Sequence, residues 1–199
     1  MSSSAWAQSE SFGQQGEIAI SAERLFGFVH TIRSVGDTTS SVDSISLFAS
    51  PLSGLVTSYS TPRVAFDYFA APGFSLGAAL GFQHVASNAD TGGSLDLLVF
   101  APRLGYAAVI NPGIGIWPRV GFTFASTSVS DQTLHLYALT IEAPIVITPA
   151  PHAALTIGPT LDLGFAGSES GTGGNVVGGD GIDIKETGIG IQTGLLIYL

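Results

Sequence analysis

The chain has 199 residues, of which 45% are hydrophobic and only 11% charged, with 26 glycines, no cysteine and a formal net charge of −9. Soluble domains carry roughly a quarter charged residues, so this composition is too poor in charge to clothe a hydrated surface. Six Lys and Arg in all exclude a nucleic-acid binder, which needs clustered cations, and the missing cysteines exclude a disulfide framework or a thiolate metal site. Length and composition suit one domain.

The N-terminus reads Ala5-Trp6-Ala7 followed by Gln8, the small-x-small form of a signal-peptidase site without the basic and apolar regions that precede one. Residues 1–15 are therefore expected to be the residue of a removed export signal and a flexible tail, with a single domain over 16–199. A helical membrane protein is excluded by the longest uncharged run. Between Glu142 and Asp162 it holds Pro144, Pro149, Pro151 and Pro159, and four prolines break any spanning helix.

Taken in chain order, the remaining sequence divides into eight extended segments, 17–32, 59–70, 74–86, 95–110, 114–127, 132–148, 152–167 and 183–199. Proline-bearing tight turns fall at Ala71-Pro72-Gly73, Asn111-Pro112-Gly113 and Pro149-Ala150-Pro151. Polar stretches rich in Ser, Thr, Gly and Asp fall between the others, at 33–58, 87–94, 128–132 and 168–182. In an antiparallel meander this alternation gathers all short turns at one end and all long loops at the other. The predicted fold class is thus all-β, an eight-stranded antiparallel up-and-down transmembrane β-barrel.

Side-chain alternation assigns the faces. In the second segment Val64, Phe66 and Tyr68 oppose Arg63, Ala65 and Asp67; in the third Leu76, Ala78, Leu80 and Phe82 oppose Gly77, Ala79, Gly81 and Gln83. In the fifth Val120, Phe122 and Phe124 oppose Arg119, Gly121 and Thr123; in the seventh Leu155, Ile157, Leu161 and Leu163 oppose Thr156, Gly158, Thr160 and Asp162. The last sets Ile189, Ile191, Leu195 and Ile197 against Glu186, Gly188, Gly190, Gln192 and Gly194. A soluble barrel would place its bulky apolar residues inside and cover itself with charge. Here the polar faces are too glycine-rich for that and fit a narrow interior.

Two features resist simple alternation. Pro102, Pro118, Pro144 and Pro159 lie inside predicted strands, where each removes a ladder hydrogen bond. Glu23 and Arg24 are adjacent, so one of them should face lipid unless the strand bulges or lies beyond the membrane at that point.

The chain closes on QTGLLIYL. Gln192, Gly194, Ile197 and Leu199 form a polar-x-Gly-x-x-apolar-x-apolar pattern that resembles the C-terminal assembly signal of bacterial outer-membrane proteins, with Leu199 where that family usually has Phe or Trp. Together with the eight alternating segments, residues 16–199 resemble the small OmpA/OmpX-type outer-membrane barrels. Ala101-Pro102-Arg103-Leu104-Gly105-Tyr106 and Trp117-Pro118-Arg119-Val120-Gly121-Phe122 resemble pieces of the wider barrel class. The resemblance implies a multi-pass protein of a Gram-negative outer membrane and a monomer. Its implied partners are outer-membrane lipid, lipopolysaccharide included, and the barrel-assembly machinery. It implies no cofactor, no metal and no nucleic acid.

The candidate functional residues are the inward charges Arg63, Asp67, Arg103, Arg119, Glu142, Asp162 and Glu186. Charges buried in a barrel are expected to pair. They form either a structural network plugging the lumen or the lining of a narrow water or ion path. The loops carry Asp37, Asp43, Asp90, Asp131, Glu169 and Asp180 with only Arg33 nearby, an acidic rim suited to surface interaction. No Asp-x-Asp-x-Asp spacing marks a calcium site, and the glycine-rich 168–182 lacks the Lys of a phosphate loop. His30, His84, His135 and His152 are the candidates for a lipid-modifying site, but no local motif joins any of them to a nucleophile, so no catalytic residue is assigned. Trp117, Tyr106, Tyr198 and Tyr68 suit an interfacial aromatic girdle, with Trp117 sharing the parity of Arg119. The expected role is structural or interactive through the loops. A narrow pore is the second reading and a lipid-modifying enzyme the third.

Overall fold

A computed structural model describes residues 12–48, 50–53, 57–86, 94–129, 132–171 and 184–199. Thirteen strands follow in order: β1 (Ile18–Val35), β2 (Thr38–Leu47), β3 (Ser50–Ser53), β4 (Arg63–Ala71), β5 (Phe74–Ala86), β6 (Ser94–Tyr106), β7 (Ala108–Asn111), β8 (Ile114–Ile116), β9 (Arg119–Val129), β10 (Gln132–Glu142), β11 (Ile145–Ala150), β12 (Ala153–Gly171) and β13 (Ile184–Tyr198). All pairings are antiparallel, and β13 pairs with both β12 and β1, which closes the sheet on itself. Closure leaves the barrel no edge along this seam, so its backbone groups are satisfied without water.

Eight staves make the wall, because β6 with β7, β8 with β9, and β10 with β11 are each one stave with a short interruption. The gaps fall at Ala107, Trp117-Pro118 and Ala143-Pro144. They form a diagonal line, along which Tyr106 N donates to Pro118 O at 2.9 Å, Trp117 N to Pro144 O at 2.9 Å, and Ala143 N to Pro159 O at 3.1 Å. Proline has no N–H to give, so the ladder is carried past it by carbonyls. The register is the same on both sides of each gap, as Glu142 facing Arg119 and Ile145 facing Ile116 illustrate. Pro102 and Pro159 sit within β6 and β12.

At the short-turn end, Gly73 and Gly113 hold positive φ of 77° and 83°, a conformation glycine adopts without a steric cost. The third short turn uses His152, at φ 61°. At the other end, the stretch 33–58 is not all loop. β1 runs on to Val35, and β2 pairs with it from Phe26↔Leu47 to Val35↔Thr38 before β3 turns back on β2. Conversely, β4 begins only at Arg63, and residues 57–62 turn into the lumen.

The adjacent pair Glu23 and Arg24 is accommodated by a bulge. Between Ala22↔Leu195 and Phe26↔Thr193, residues 23–25 face the single Gly194, and Arg24 takes φ 57°. A Cβ on Gly194 would lie 2.7 Å from Ala22 O and from Thr156 Oγ1, so the bulge needs glycine opposite it. Both Glu23 and Arg24 are buried as a result.

Outside, the wall is apolar: Phe28, Val64, Phe66, Leu80, Phe82, Phe100, Phe122, Phe165, Ile189 and Ile191 are all exposed. Such a continuous belt on a protein this poor in charge is a lipid-facing surface. No helix among the described residues is long and apolar enough to cross a membrane.

Candidate functional site

The lumen is packed in layers. At the short-turn end, Phe12 enters the barrel mouth and sets its ring edge-on against Phe69, Trp117 and Tyr198, with centroids 5.2, 5.2 and 5.5 Å away. Glu17 fixes this approach by accepting from the backbone N–H of Gly13 and Gln14. Trp117 and Tyr198, expected in an outer girdle, therefore point inward; Tyr68 and Tyr106 point outward. The parity that Trp117 shares with Arg119 prevails, and its Nε1 donates to Ser75 Oγ at 3.0 Å.

Above this floor lies a chain of alternating charges. Asp67 Oδ2 accepts from Arg103 Nη2 at 2.5 Å, and Arg103 Nη1 reaches Glu23 Oε2 at 2.6 Å. Glu23 Oε1 is 2.6 Å from Arg119 Nη1, whose Nη2 is 2.7 Å from Glu142 Oε2. Glu142 Oε1 and Asp162 Oδ2 are each 3.1 Å from Arg24. Thr140 Oγ1 then donates to Asp162 Oδ1 at 2.5 Å and meets Thr123 Oγ1 at 2.6 Å, to which Arg63 Nη1 donates at 3.4 Å. Four arginines and four carboxylates, all buried, thus balance to zero. The Arg119 guanidinium also lies 4.6 Å from the centroid of the Trp117 ring, which ties the charges to the floor by a cation–π contact.

Of the charges expected inside, Arg63, Asp67, Arg103, Arg119, Glu142 and Asp162 lie in this cluster, while Glu186 stands apart toward the loop end. Its carboxylate Oε1 is buried without a partner. Glu23 and Arg24, which alternation left unplaced, supply the two central links. The adjacency of two opposite charges in a strand was their only sequence signal.

The third layer is the turn 57–62. Tyr59 is fully buried, its hydroxyl donating to Glu186 O at 2.6 Å, and its own carbonyl accepting from Arg24 Nη1 and from Gln192 Nε2. Its ring packs with Val29 and Ala138 and lies flush on Gly188, where a Cβ would come within 2.8 Å of ring Cδ2. Nearer the loop end, Leu97, Val99, Ala125, Leu136 and Ile184 fill the bore.

The histidines lie elsewhere. His30 Nδ1 is 2.7 Å from Asp43 and His84 Nδ1 2.6 Å from Asp96, each a cross-strand pair on the outer face above the belt. His135 stacks on Phe124, and His152 Nδ1 meets Tyr198 O at 3.0 Å in the short turn. Among the described residues neither His30 nor His84 has a hydroxyl partner. No group of three or more metal-ligating side chains occurs among those residues either. Of the expected acidic rim, Asp37, Asp43 and Glu169 are in place at the loop end; Asp90, Asp131 and Asp180 lie outside the described residues, as do residues 1–11. In the C-terminal pattern, Gln192 and Gly194 face the lumen and Ile197 and Leu199 face outward.

No family model and no curated protein matches the chain. Solved structures do. Neisserial surface protein A superposes with a TM-score of 0.51 at 11% identity, over 92% of this chain and 99% of that one. The outer membrane protein OprG from Pseudomonas aeruginosa superposes with a TM-score of 0.54 at 12% identity, over 94% and 97%. At such identities the likeness is one of fold. With its closed eight-stave wall and apolar belt, the chain has the fold of the small bacterial outer-membrane β-barrels.

Proposed function

We propose that this chain works as an outer-membrane barrel with a closed lumen, serving a structural or surface-interaction role through its acidic loop end. The observation that carries this reading is the neutral charge cluster, sealed by the aromatic floor on one side and by Tyr59 on the other. Moving an ion through it would strip a buried arginine or carboxylate of its partner, at a cost of several kcal/mol per ion. Because the cluster is neutral, the remaining eleven carboxylates and two cations carry the whole net charge of −9. Among the described residues Asp37, Asp43, Asp96 and Glu169 lie toward the loop end, where a cationic partner would be attracted. Outer-membrane lipid, lipopolysaccharide included, faces the belt in this reading, and the assembly machinery receives the C-terminal strand of a monomer.

Planar-bilayer recording of the refolded protein tests the closed lumen. The expected trace has no discrete conductance steps, and reproducible steps would establish the pore instead. Salt-dependent retention of poly-lysine by protein-bearing vesicles, absent from empty ones, tests the acidic end.

A further inference from the structure

Gln192 has a glycine on each side of it in the sheet, Gly158 on β12 and Gly27 on β1. Beside it, where Gly158 contributes no side chain, lies a cavity of about 20 Å³ bounded also by Arg24, Arg119, Glu142, Thr156 and Thr160. The closing seam of β13 and β1 meets the charge cluster here. Three polar atoms of the surrounding residues, Arg24 Nε, Arg119 Nε and Gln192 Oε1, are buried without a hydrogen-bond partner among the described residues. Arg24, Arg119 and Gln192 are only 3%, 8% and 6% exposed, so bulk water does not serve these atoms, and buried polar groups are rarely left unmet. Their other polar atoms are engaged. Arg24 holds Glu142 and Asp162, Arg119 holds Glu23 and Glu142, and Gln192 Nε2 donates to Tyr59 O at 3.1 Å, which fixes the orientation of the amide. What is left over is two N–H donors and one carbonyl acceptor.

This set selects its ligand. A cation would sit against two guanidinium N–H groups. An anion would take both N–H groups but give the Gln192 oxygen no hydrogen, and an apolar group would leave all three atoms unmet. A group that accepts twice and also donates satisfies them, and a cavity above about 10–15 Å³ holds one water molecule. We propose that a single ordered water is a fixed part of the lumen plug at this point, accepting from the Nε–H groups of Arg24 and Arg119 and donating to Gln192 Oε1. Its second hydrogen is directed to the hydroxyls of Thr156 and Thr160, which line the same cavity. The water ties β1, β9 and β13 together, so the strand that closes the barrel is joined to the charge cluster through it. Gln192 thereby acts inside the lumen as well as in the C-terminal pattern. The site is independent of what the loop end binds.

The chain has five arginines, so nitrogen-edited NMR of the refolded protein in deuterated detergent resolves few side-chain Nε–H signals. Arg103 is the internal control, because its Nε donates to Asp67 Oδ1 at 3.0 Å. Nuclear Overhauser cross-peaks to water, with the sign of a long-lived contact, are expected at Arg24 and Arg119 and not at Arg103. Their absence at Arg24 and Arg119, or equal strength at Arg103, would overturn the proposal. Gln192→Leu keeps the bulk of the side chain and removes the acceptor, and it is expected to lose both cross-peaks. Retention of both in a variant that still shows the heat-modifiable folded band would overturn the three-point site. If that variant does not fold, the unmodified protein decides alone.

Discussion

Arg24 and Asp162 meet across the lumen at 3.1 Å although Arg24 directly follows another inward residue, Glu23. The left-handed backbone at Arg24 makes this possible, turning two successive side chains to one face. Arg24→Met therefore leaves Glu142 with one arginine fewer and Asp162 with no ion pair, a loss expected to cost about 3–5 kcal/mol. Adding Asp162→Asn should restore part of it, since Thr140 can still donate to the amide oxygen. Urea unfolding of the two variants in lipid checks this; a double variant no more stable than the single one would show that Arg24 and Asp162 are not coupled.

Gly194 is the counterpart of that bulge on β13. With Ala22 O and Thr156 Oγ1 both 2.7 Å from the place of its Cβ, Gly194→Val forces the seam between β1 and β13 apart. The expected outcome is loss of the heat-modifiable folded band. A variant that folds normally would mean the bulge yields without cost.

Phe12 precedes the first strand yet completes the floor. Truncating a buried aromatic ring typically costs about 3–5 kcal/mol, and Phe12→Ala should fall in that range, because three rings lose their edge-on partner at once. Equilibrium unfolding measures it. A cost below about 1 kcal/mol, the scale of a surface substitution, would show that residue 12 is not seated in the barrel mouth.

Much of the wall is legible in the sequence. Alternation of Val64, Phe66 and Tyr68 with Arg63, Ala65 and Asp67 fixes a stave and its faces without reference to any neighbour. The strand prolines are not readable in this way, since Pro118 and Pro144 fall where staves pause while Pro102 and Pro159 lie within β6 and β12. The inward parity of Arg63, Asp67, Arg103, Arg119, Glu142 and Asp162 is readable by the same alternation, but not the order in which the charges pair, which depends on how the staves are staggered. β2 escapes notice because its inner face is Ser44 and Ser46, small polar residues that also make loops. Arg24 escapes because period-two reasoning has no place for a left-handed residue. The turn at 57–62 escapes because its sequence is as good a strand as a plug; only the tertiary bonds to the Tyr59 carbonyl decide between them.

The boundary of the membrane belt yields the last prediction. Phe122 is 59% exposed in the middle of the apolar face, while His84 lies on the same outer face near the loop end, paired to Asp96. An arginine facing lipid costs roughly 2–4 kcal/mol at the midplane and about 0–1 kcal/mol near the interface. Phe122→Arg should thus be destabilised by the larger amount. His84→Arg should be nearly neutral, its guanidinium still able to pair with Asp96 in water. Urea titration of both variants folded into liposomes compares them directly. Equal midpoints would remove the distinction in depth between these positions, and with it the assignment of the Phe122 level to the hydrocarbon.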